Sequence, residues 1–514
     1  MKAIIMAGGE GTRLRPLTCN RPKPMVPVIN KPVMEHTIEL LRKYDFNDIG
    51  VTLQYMPEVI RDYFQDGREY GVNLRYYIEQ TPLGTAGSVK NADAFLDDTF
   101  LVISGDALTD IDLKKAVEFH FNKGSIATLI LKKVDIPLEY GVVVTDENDR
   151  ITGFLEKPSW GEVFSDTVNT GIYILSPEVL GYFKKNEVFD FSKDLFPMLL
   201  KAGKPMYGFV TDDYWCDIGD LKAYLKAHID VMEGRVNISI PGKQIQDKVW
   251  VDEGCQFDES AVIKGPCIIG KNCRIKGKVL IDSYSVIGDF NIIGERSGIK
   301  RSILWKNCIM DRNVQLRGSV LCDKVHIKEN TCTYEQSVIG DDTTIRDNAV
   351  VKPNIKIWPN KVIESCVEVN SNLVWGCKCT RNIFGHRGIA GEINVDITPE
   401  FASKLGAAYG AVFKGNARIG ISCDSTSPAQ MLKIAFISGL MSAGIEIYDF
   451  GSMLLPVTRS AVRFFKVDGG IHISTSTDDV ARLFVDFLDK NGSNLDRATE
   501  RKIENAFQRE DFSR

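Results

Sequence analysis

Residues 2–18 read Lys-Ala-Ile-Ile-Met-Ala-Gly-Gly-Glu-Gly-Thr-Arg-Leu-Arg-Pro-Leu-Thr, and the architecture of the first part of the chain follows from this stretch. The apolar run Lys2–Met6 predicts a buried strand that passes directly into a loop with three glycines. Glycines let backbone N–H groups close on a phosphate or a nucleobase, and Arg13 and Lys23 supply cations for a polyphosphate. A lone Gly-Gly pair usually marks a tight turn, but a strand, a glycine loop and several cations together indicate a phosphate-binding loop. It is neither a Walker A loop nor a G-x-G-x-x-G fingerprint, because its ending and its glycine spacing differ.

Three modules follow from the pattern along the chain. Residues 1–235 alternate short β-branched runs with helix-like stretches, which predicts an α/β domain with a mainly parallel sheet. Residues 245–375 instead place an aliphatic residue at every sixth position among Gly, Asp and Asn turns, as in Ile268-Ile269-Gly270-Lys271. That pattern is typical of a hexapeptide-repeat parallel β-helix. Residues 381–514 return to alternating helix and strand signals, so we expect a second, smaller α/β unit there.

Composition excludes several classes of protein. The chain has 514 residues, of which 44% are hydrophobic and 25% charged, as in globular proteins that bury real cores. Its 63 Lys and Arg against 68 Asp and Glu leave a net charge of −5, so no basic field attracts nucleic acid or an anionic membrane. No stretch approaches the roughly 20 apolar residues that span a bilayer. We therefore expect a cytoplasmic protein.

Two aspartates are candidates for a metal site. Asp106 ends the apolar strand Phe100–Ser104, at the carboxyl edge where α/β sheets bind ligands, and Asp217 follows Tyr214 and Trp215 in a similar context. Either one alone would be interpreted as a helix N-cap. Together, two carboxylates and the phosphate oxygens of a nucleotide suit Mg²⁺, which takes few protein ligands.

These motifs resemble the sugar-nucleotide pyrophosphorylases, a group of nucleotidyltransferases, and in particular the mannose-1-phosphate guanylyltransferase-like members. The resemblance covers residues 1–235 and implies a Rossmann-like domain followed by a left-handed β-helix. Besides the glycine loop, the motifs that carry it are Thr81-Pro82-Leu83-Gly84-Thr85-Ala86-Gly87, Ser104-Gly105-Asp106, Glu139-Tyr140-Gly141-Val142, Phe154-Leu155-Glu156-Lys157-Pro158, Asn169-Thr170-Gly171-Ile172-Tyr173 and Trp215-Cys216-Asp217-Ile218-Gly219.

The resemblance also implies a set of site residues. It implies that Arg13, Lys23 and Asp106 are catalytic. It also implies that Asp106 binds Mg²⁺ together with Asp217. The residues implied to contact the nucleotide are Gly8, Gly9, Gly11, Thr12, Gln80, Gly84, Thr85 and Gly87. Those implied to contact the sugar phosphate are Gly141, Glu156, Lys157, Asn169, Thr170 and Gly171.

The implied reaction is an in-line attack by a sugar-1-phosphate oxygen on the α-phosphorus of a nucleoside triphosphate, which releases pyrophosphate. The attacking oxygen is already anionic, so no protein nucleophile or general base is required. Catalysis then consists of positioning and charge stabilisation by Mg²⁺, Arg13 and Lys23.

The β-helix does not by itself select an activity, because such helices accompany both acyltransferases and nucleotidyltransferases. An acyltransferase needs a histidine base between coils, and His326, the histidine of this segment, is better explained by packing or surface exposure. The resemblance implies oligomerisation or regulation by the β-helix, so we expect a homo-oligomer.

Residues 381–514 resemble the first domain of the phosphohexomutases, such as phosphomannomutase, with altered chemistry. The motifs are residues 383–391, 397–402, 468–471 and 487–492. Where that family has Thr-Ala-Ser-His-Asn-Pro, this chain has Ser474-Thr475-Ser476-Thr477-Asp478-Asp479, whose two carboxylates would repel a phosphorylated sugar. We therefore expect no mutase activity and a structural role for Ser476.

Three functions stay open on sequence alone. The first is formation of GDP-mannose from GTP and mannose-1-phosphate. The second is uridylyl, thymidylyl or adenylyl transfer to glucose-1-phosphate, since the choice of epimer depends on one or two hydrogen bonds. The third is a non-catalytic regulator that binds a nucleotide sugar, although Arg13, Lys23, Asp106 and Asp217 are all retained.

Overall fold

The structure is a computed structural model that describes residues 1–156, 165–374, 378–379, 383–385, 388–413, 417–479 and 481–509. The chain forms two compact units. The first comprises residues 1–360 and 370–372, and the second comprises residues 361–369 and 373–514. The N-terminal α/β domain and most of the β-helix lie together in the first unit.

The N-terminal domain is built on a mixed sheet. Lys2–Met6 pairs in parallel with Asp48–Leu53 on one side and with Phe100–Ser104 on the other. Asn73–Ile78 continues the parallel part, whereas Thr167–Leu175 runs antiparallel to Phe100–Ser104. The expected parallel sheet is thus found around the glycine loop, and the sheet is largely antiparallel beyond it. The remaining strands are Ala127–Lys133, Gly141–Thr145, Ile151–Glu156 and Met206–Thr211.

Both faces of this sheet are covered. Successive residues of a strand point to opposite faces, so Ile5 and Ile103 enter one apolar core while Ile4 and Val102 enter another. Burial on both faces explains why these strands are continuous apolar runs. The α-helices of the domain are Val33–Lys43, Pro57–Phe64, Gly84–Lys90, Leu113–Asn122, Phe196–Lys201 and Leu221–Met232. Shorter elements are the 3₁₀ helices Thr12–Leu14, Lys23–Met25, Arg68–Tyr70, Asp93–Phe95 and Pro177–Tyr182, the π-helix Phe191–Leu195, and the strands Pro27–Val28, Lys31–Pro32, Ala107–Thr109 and Trp215–Asp217.

The middle of the chain winds into a parallel β-helix, as its sequence repeat predicts. Ile269, Ile287 and Leu304 lie in register on successive coils and are fully buried, so each coil packs its aliphatic residues on the next. One face of the first unit's β-helix contains Lys243–Gln246, Val249–Val251, Cys267–Ile269, Ser285–Ile287, Ile303–Leu304, Val320–Leu321, Val338–Ile339 and Lys356–Ile357. The second contains Gln256–Phe257, Arg274–Ile275, Ile292–Ile293, Ile309–Met310, His326–Ile327 and Thr344–Ile345, and the third Val262–Ile263, Leu280–Ile281, Gly298–Lys300, Gln315–Arg317, Cys332–Thr333 and Val350–Val351.

The corners of the β-helix use left-handed residues. Asn272, Lys278, Tyr284 and Phe290 follow one another at six-residue intervals, each with φ between 54° and 60°. Asparagine tolerates this conformation better than other non-glycine residues, and it recurs at later corners such as Asn307. The six-residue period of the sequence is therefore the period of the turns as well as of the buried aliphatic positions.

The β-helix and the N-terminal domain share an apolar core. Leu14, Leu17 and Tyr224 of the domain belong to the same buried cluster as Ile268 and Trp305 of the β-helix. The Trp305 indole N–H also donates to the Tyr224 hydroxyl at 2.9 Å. This continuity of packing makes the two modules one compact unit.

The second unit centres on a mixed sheet in the order Ile389–Glu392, Arg482–Asp489, Gly469–Thr475, Arg418–Cys423 and Glu446–Ser452. The last three strands are parallel to one another, and the first two pairings are antiparallel. This is the second α/β unit that the sequence predicts. Its helices are Pro399–Ala411, Ser427–Ser442, Leu455–Phe464 and Arg497–Arg509, and its other short strands are Val362–Ile363, Glu368–Val369 and Lys378–Cys379. In the described part of the chain, no helix has the length and apolar character needed to cross a bilayer.

Candidate active site

The glycine loop and Asp106 meet at one edge of the N-terminal sheet. Lys2–Met6 and Phe100–Ser104 are parallel neighbours, so both end at the same edge. The backbone N–H of Gly105 donates to the carbonyl of Met6 at 2.9 Å, which holds the two loops side by side. A cavity of about 300 Å³ opens there. Of the sequence-predicted residues, its lining includes Gly8, Gly9, Gly84, Thr85 and Asp106.

Lys23 joins the two candidate metal ligands. Its Nζ lies 2.6 Å from Asp106 Oδ2 and 2.8 Å from Asp217 Oδ1. Asp217 is brought to this point by the strand Trp215–Asp217, which pairs antiparallel with Ala107–Thr109 and places Asp217 opposite Ala107. Residues separated by almost two hundred positions in the chain thus converge on one cation.

The charges of this cluster depend on one another. Burial alone would lower the pKa of Lys23, but the carboxylates of Asp106 and Asp217 raise it above the usual value. Burial alone would raise the pKa of Asp106, but the Lys23 ammonium holds it below its usual value, and the Ser104 hydroxyl also donates to this carboxylate. Burial and the neighbouring charge of Asp106 raise the pKa of Asp217. The site therefore holds one cation between two carboxyl groups whose pKa values shift in opposite directions.

The donor set fits a divalent cation. Two carboxylate oxygens already converge on a positive charge, and one of the carboxylates lines the cavity at the glycine loop. Within the described residues, no cluster of three or more His, Cys, Asp or Glu forms a complete metal cage. A site with two carboxylates suits Mg²⁺, which completes its octahedron with water and substrate phosphate oxygens.

Arg13 forms an exposed ion pair and is not part of the described lining of the cavity. Its guanidinium is 2.8 Å from Glu139 Oε2, and both side chains are more than half exposed. Thr12 and Arg13 lie in the short 3₁₀ helix Thr12–Leu14. Gly11, which precedes it, has φ of +64°, and a Cβ there would lie 3.0 Å from Lys23 Cβ. Glycine at this position therefore lets the loop pack against Lys23.

Glu79, rather than its neighbour Gln80, lines the cavity. Gln80 is exposed and is not part of the lining, whereas Glu79 is buried and lines it. Glu79 Oε2 accepts from the backbone N–H of Leu83 at 3.1 Å. Its Oε1 is buried with no hydrogen-bond partner among the described residues. A buried acceptor of this kind is costly unless a ligand supplies a donor.

The helix Gly84–Lys90 contributes both lining and packing. Gly84 has φ of +72°, and a Cβ on it would lie 2.7 Å from the carbonyl oxygen of Phe189. The Thr85 hydroxyl, which lines the cavity, donates to Asp190 Oδ2 at 2.8 Å. Gly87 is buried, and a Cβ there would lie 2.6 Å from the Glu187 carbonyl. Packing accounts for Gly87, while Thr85 stays accessible to a ligand.

The residues implied for the sugar phosphate gather around the strand Thr167–Leu175. A Cβ on Gly141 would lie 2.7 Å from Glu156 Oε2 and 3.6 Å from Asn169 Cβ, so these three residues are neighbours. The Asn169 amide donates to the Tyr173 hydroxyl at 2.9 Å, and its Oδ1 accepts from the backbone N–H of Gly171. The buried Thr170 hydroxyl donates to the Ile130 carbonyl, which fixes the strand. Lys157 lies outside the described residues.

Several lining residues were not predicted from the sequence: Gln54, Glu79, Ser104 and Asp190. Glu79 could have been found, since it follows the strand Asn73–Ile78 at the same sheet edge as Asp106. Asp190 caps the next helical segment by accepting from the backbone N–H groups of Ser192 and Lys193. Asp190 and Thr85 are more than a hundred positions apart in the sequence, so no local pattern predicts their hydrogen bond.

The mutase-like loop of the second unit carries acidic side chains in the part of the chain that the structure describes. Ser476 is followed by exposed Asp478 and Asp479, and its backbone N–H donates to the Arg482 carbonyl at 2.8 Å. Asp424 accepts from the backbone N–H groups of Thr426 and Thr475. These bonds order the loop through its own backbone.

Comparison with known proteins gives the same three modules. The family model described as nucleotidyl transferase matches residues 2–234. The model described as the EIF2B subunit epsilon LbH domain matches residues 246–351. The phosphoglucomutase/phosphomannomutase α/β/α domain I model matches residues 381–514. The predicted fold class is thereby confirmed: a Rossmann-like nucleotidyltransferase domain, a left-handed β-helix and a phosphohexomutase domain I-like module.

Curated relatives cover much of the chain. A UTP–glucose-1-phosphate uridylyltransferase of Synechocystis sp. is 40% identical over 323 residues, which span 60% of this chain and 83% of that protein. A mannose-1-phosphate guanyltransferase of Candida albicans is 32% identical over 72% of this chain and 99% of its own length. Mannose-1-phosphate guanylyltransferase 1 of Arabidopsis thaliana is 32% identical over 67% of this chain and 87% of its own length. The chain belongs to the nucleotidyl transferase family and is a nucleotidyltransferase enzyme that resembles the mannose-1-phosphate guanylyltransferases.

Proposed function

We propose that this enzyme transfers the nucleotidyl group of GTP to mannose-1-phosphate, which yields GDP-mannose and pyrophosphate. The observation that carries the proposal is the convergence of Asp106 and Asp217 on Lys23, beside a cavity lined by Gly8 and Gly9. One edge of the sheet thus carries two carboxylates, the buried cation between them and a glycine loop. This combination suits a triphosphate and its metal ion better than any uncharged substrate.

In the proposed reaction, an oxygen of the sugar-1-phosphate attacks the α-phosphorus of the triphosphate. The new P–O bond forms as the bond between the α-phosphorus and the bridging oxygen breaks, and pyrophosphate leaves with that electron pair. Lys23 stabilises the negative charge that develops on the phosphates, and Arg13 turns from Glu139 toward the triphosphate. Glycines at 8 and 9 let backbone N–H groups approach the same phosphates.

Asp106 and Asp217 would hold Mg²⁺, which supplies charge neutralisation at the phosphate oxygens when bound. Lys23 lies between the two carboxylates and contacts both. We expect the ammonium to give up one of these ion pairs to the substrate phosphates when metal and nucleotide enter.

Glu79 supports a guanine base. Its Oε1 is an acceptor without a partner among the described residues, and Glu79 lines the cavity beside Gly84 and Thr85. Guanine offers two adjacent donors, N1–H and the N2 amino group, whereas adenine offers an amino group next to the lone pair of N1. Uracil and thymine offer the single N3–H between two carbonyl oxygens. A buried carboxylate therefore favours guanine first, uracil or thymine second, and disfavours adenine.

Sugar recognition is assigned to the group around Gly141, Glu156 and Asn169. A carboxylate and an amide are the side chains that bind sugar hydroxyls in pairs, and a side chain on residue 141 would collide with Glu156. Glu156 ends the strand Ile151–Glu156, so it is held by the sheet rather than by a loop.

A second candidate is UTP:glucose-1-phosphate uridylyl transfer. It is favoured by the 40% identity to the Synechocystis uridylyltransferase, which exceeds the identity to the guanylyltransferases described above. The two candidates share one mechanism and differ in the base and in one sugar hydroxyl.

The test is pyrophosphate release by the purified full chain with Mg²⁺, over a matrix of ATP, GTP, UTP and dTTP against mannose-, glucose- and N-acetylglucosamine-1-phosphate. The proposal predicts the highest turnover with GTP and mannose-1-phosphate. If turnover is highest with UTP and glucose-1-phosphate, the second candidate is correct and the first is wrong. If the folded protein releases no pyrophosphate but binds a nucleotide sugar tightly, the protein is a regulator and not an enzyme.

A further inference from the structure

The end of the strand Asp48–Leu53 places a further polar side chain in the catalytic cavity. Gln54 directly follows this strand and lines the cavity. The strand lies between Lys2–Met6, which leads into the glycine loop, and Asn73–Ile78, which leads into Glu79. The proposed reaction gives Gln54 no role, although this residue lies between the glycine loop and Glu79.

The parallel strands of this edge continue their register into the cavity. Ser104, Met6 and Thr52 are paired neighbours on three adjacent strands. On the fourth strand, the backbone N–H of Glu79 donates to the Leu53 carbonyl at 2.8 Å, so the parallel pairing extends past the strand ends. Four residues that line the cavity therefore form a row across the sheet edge, in the order Asp106, Gly8, Gln54 and Glu79.

This row has a direction along a bound nucleotide. Adjacent strands lie about 4.8 Å apart, so Gln54 and Glu79 lie about 10 and 14 Å across the sheet from Asp106. Asp106 and the glycine loop are the phosphate end of the cavity in the proposed function, on which this step rests. The ribose of a nucleoside triphosphate separates its phosphates from its base. The base therefore reaches the other end of the row, at Gln54 and Glu79.

The amide of Gln54 is available to a ligand. The side chain is half-buried, and its amide makes no hydrogen bond within the described part of the chain. Its polar atoms are not enclosed by the protein. The Thr85 hydroxyl, which also lines the cavity, donates instead to Asp190. An accessible amide at the base end of the cavity can therefore bond to the base.

The glycine loop and Glu79 set the position of this amide. A Cβ on Gly8 would lie 3.4 Å from Gln54 Cβ, so the stem of the Gln54 side chain packs against the loop. A glutamine amide can present either its oxygen or its amino group. The neighbouring Glu79 carboxylate repels the oxygen and attracts the amino group. The pair then offers a donor next to an acceptor.

We propose that Gln54 is a specificity-determining residue that reads the base together with Glu79. The Gln54 amino group donates to a ring carbonyl oxygen, and the Glu79 carboxylate accepts from the adjacent ring N–H. Guanine has this pattern in O6 and N1–H, and uracil and thymine have it in O4 and N3–H; these are the oxo bases. Adenine has an amino group next to a ring lone pair, so donor would face donor and acceptor would face acceptor.

Steady-state kinetics of the full chain tests the proposal, with Mg²⁺, each of GTP, UTP, dTTP and ATP, and mannose- or glucose-1-phosphate. The wild type should use at least one oxo-base triphosphate about tenfold better than ATP, measured as kcat/KM. Gln54→Met removes the amide and keeps the length of the side chain. It should lower kcat/KM for the preferred oxo-base triphosphate by about 10- to 100-fold and change that for ATP by less than about threefold.

Gln256→Met is the matched control, because Gln256 is an exposed glutamine of the β-helix. It should leave kcat/KM within about twofold for every triphosphate. Thermal unfolding checks that Gln54→Met is folded, and Gln54→Leu replaces it if it is not. Equal losses for all triphosphates would overturn the proposal, because Gln54 would then only support the glycine loop. A wild-type chain that prefers ATP would overturn it as well.

A failure of the proposed function has a different signature. The folded wild type would then release no pyrophosphate from any triphosphate, and isothermal titration with GDP, UDP and ADP would test base recognition directly. GDP or UDP should bind to the wild type at least about tenfold more tightly than ADP, and to Gln54→Met within about threefold of ADP. Equal affinities in the wild type, an unchanged ratio in Gln54→Met, or no binding at all would overturn the role of Gln54.

Discussion

Two buried cations lie two residues apart in this molecule, and each is held by two aspartates. Lys23 contacts Asp106 and Asp217 of its own domain, at 2.6 and 2.8 Å. Arg21 contacts Asp323 and Asp341 of the β-helix, at 2.6 and 3.6 Å. The same charge arrangement thus occurs once at the catalytic cavity and once at the junction between domain and β-helix.

The surroundings of the aspartates distinguish the two clusters. Asp323 accepts from the backbone N–H of Lys306, and Asp341 accepts from the backbone N–H of Asp323, so coil geometry fixes both carboxylates. Asp106 lines an open cavity and receives a hydroxyl from Ser104. In the proposed mechanism the cluster around Lys23 admits a metal and substrate, whereas the cluster around Arg21 joins the N-terminal domain to the β-helix. The two ion-pair clusters are alike, so the groups that surround the carboxylates, and not the ion pairs themselves, distinguish the proposed catalytic cluster from the structural one.

Replacing the catalytic cation should have the largest effect. Lys23→Met removes the charge that stabilises the phosphates, and turnover should fall by about 100- to 1,000-fold. Pyrophosphate release measures the loss, and circular dichroism confirms that the variant is folded. A turnover within threefold of the wild type would show that Lys23 is a structural cation like Arg21.

Replacing the structural cation should act on stability. Arg21→Met leaves the buried Asp341 and the partly exposed Asp323 without a cation to balance their charges, and the free energy of unfolding should fall by about 2 to 4 kcal/mol. Urea unfolding measures the change. Arg68→Met, which removes an exposed arginine paired with Asp66, is the matched control and should cost less than about 1 kcal/mol. Equal losses of unfolding free energy in both variants would show that Arg21 does not stabilise the junction between the domain and the β-helix.

A smaller effect is expected at the base side of the catalytic cavity. Glu79→Gln replaces one acceptor oxygen by a donor group, so kcat/KM for GTP should fall by about 10- to 100-fold. The value for ATP should change less, since adenine does not match the carboxylate. Parallel losses for both triphosphates would mean that Glu79 supports the Leu83 loop and does not contact the base.

The smallest effect is expected in the second unit. Ser476→Ala should leave pyrophosphate release within about twofold and stability within about 0.5 kcal/mol, because the residue lies in an exposed loop. Neither form should interconvert mannose-1-phosphate and mannose-6-phosphate. Mutase activity of the wild type that disappears in the variant would contradict the predicted structural role of Ser476.

Sequence reasoning found the features that local patterns encode. The strand Lys2–Met6 with its glycine loop, the six-residue repeat of the β-helix and the aspartate after Phe100–Ser104 are each visible in a few adjacent residues. Parallel strands that end at one edge then bring such features together, which is why Asp106 lies beside Gly8.

Contacts between distant segments were not predictable in the same way. Arg21 and Asp323 are 302 positions apart, and neither neighbourhood contains a motif. Glu79 and Gln80 are neighbours just after a strand, and only Glu79 is buried. A shift of one residue would exchange the two side chains, and a local sequence pattern does not fix such a shift. Such contacts depend on how distant segments pack together, and a local sequence pattern does not predict that packing.

We propose that the cluster around Lys23 catalyses nucleotidyl transfer while the cluster around Arg21 does not. The most direct test of this difference compares Asp106→Asn with Asp323→Asn, in pyrophosphate release from GTP and mannose-1-phosphate with Mg²⁺. We predict a loss of about 1,000-fold or more for Asp106→Asn and less than about fivefold for Asp323→Asn. Losses of similar size in the two folded variants, or full activity of Asp106→Asn, would contradict the claim.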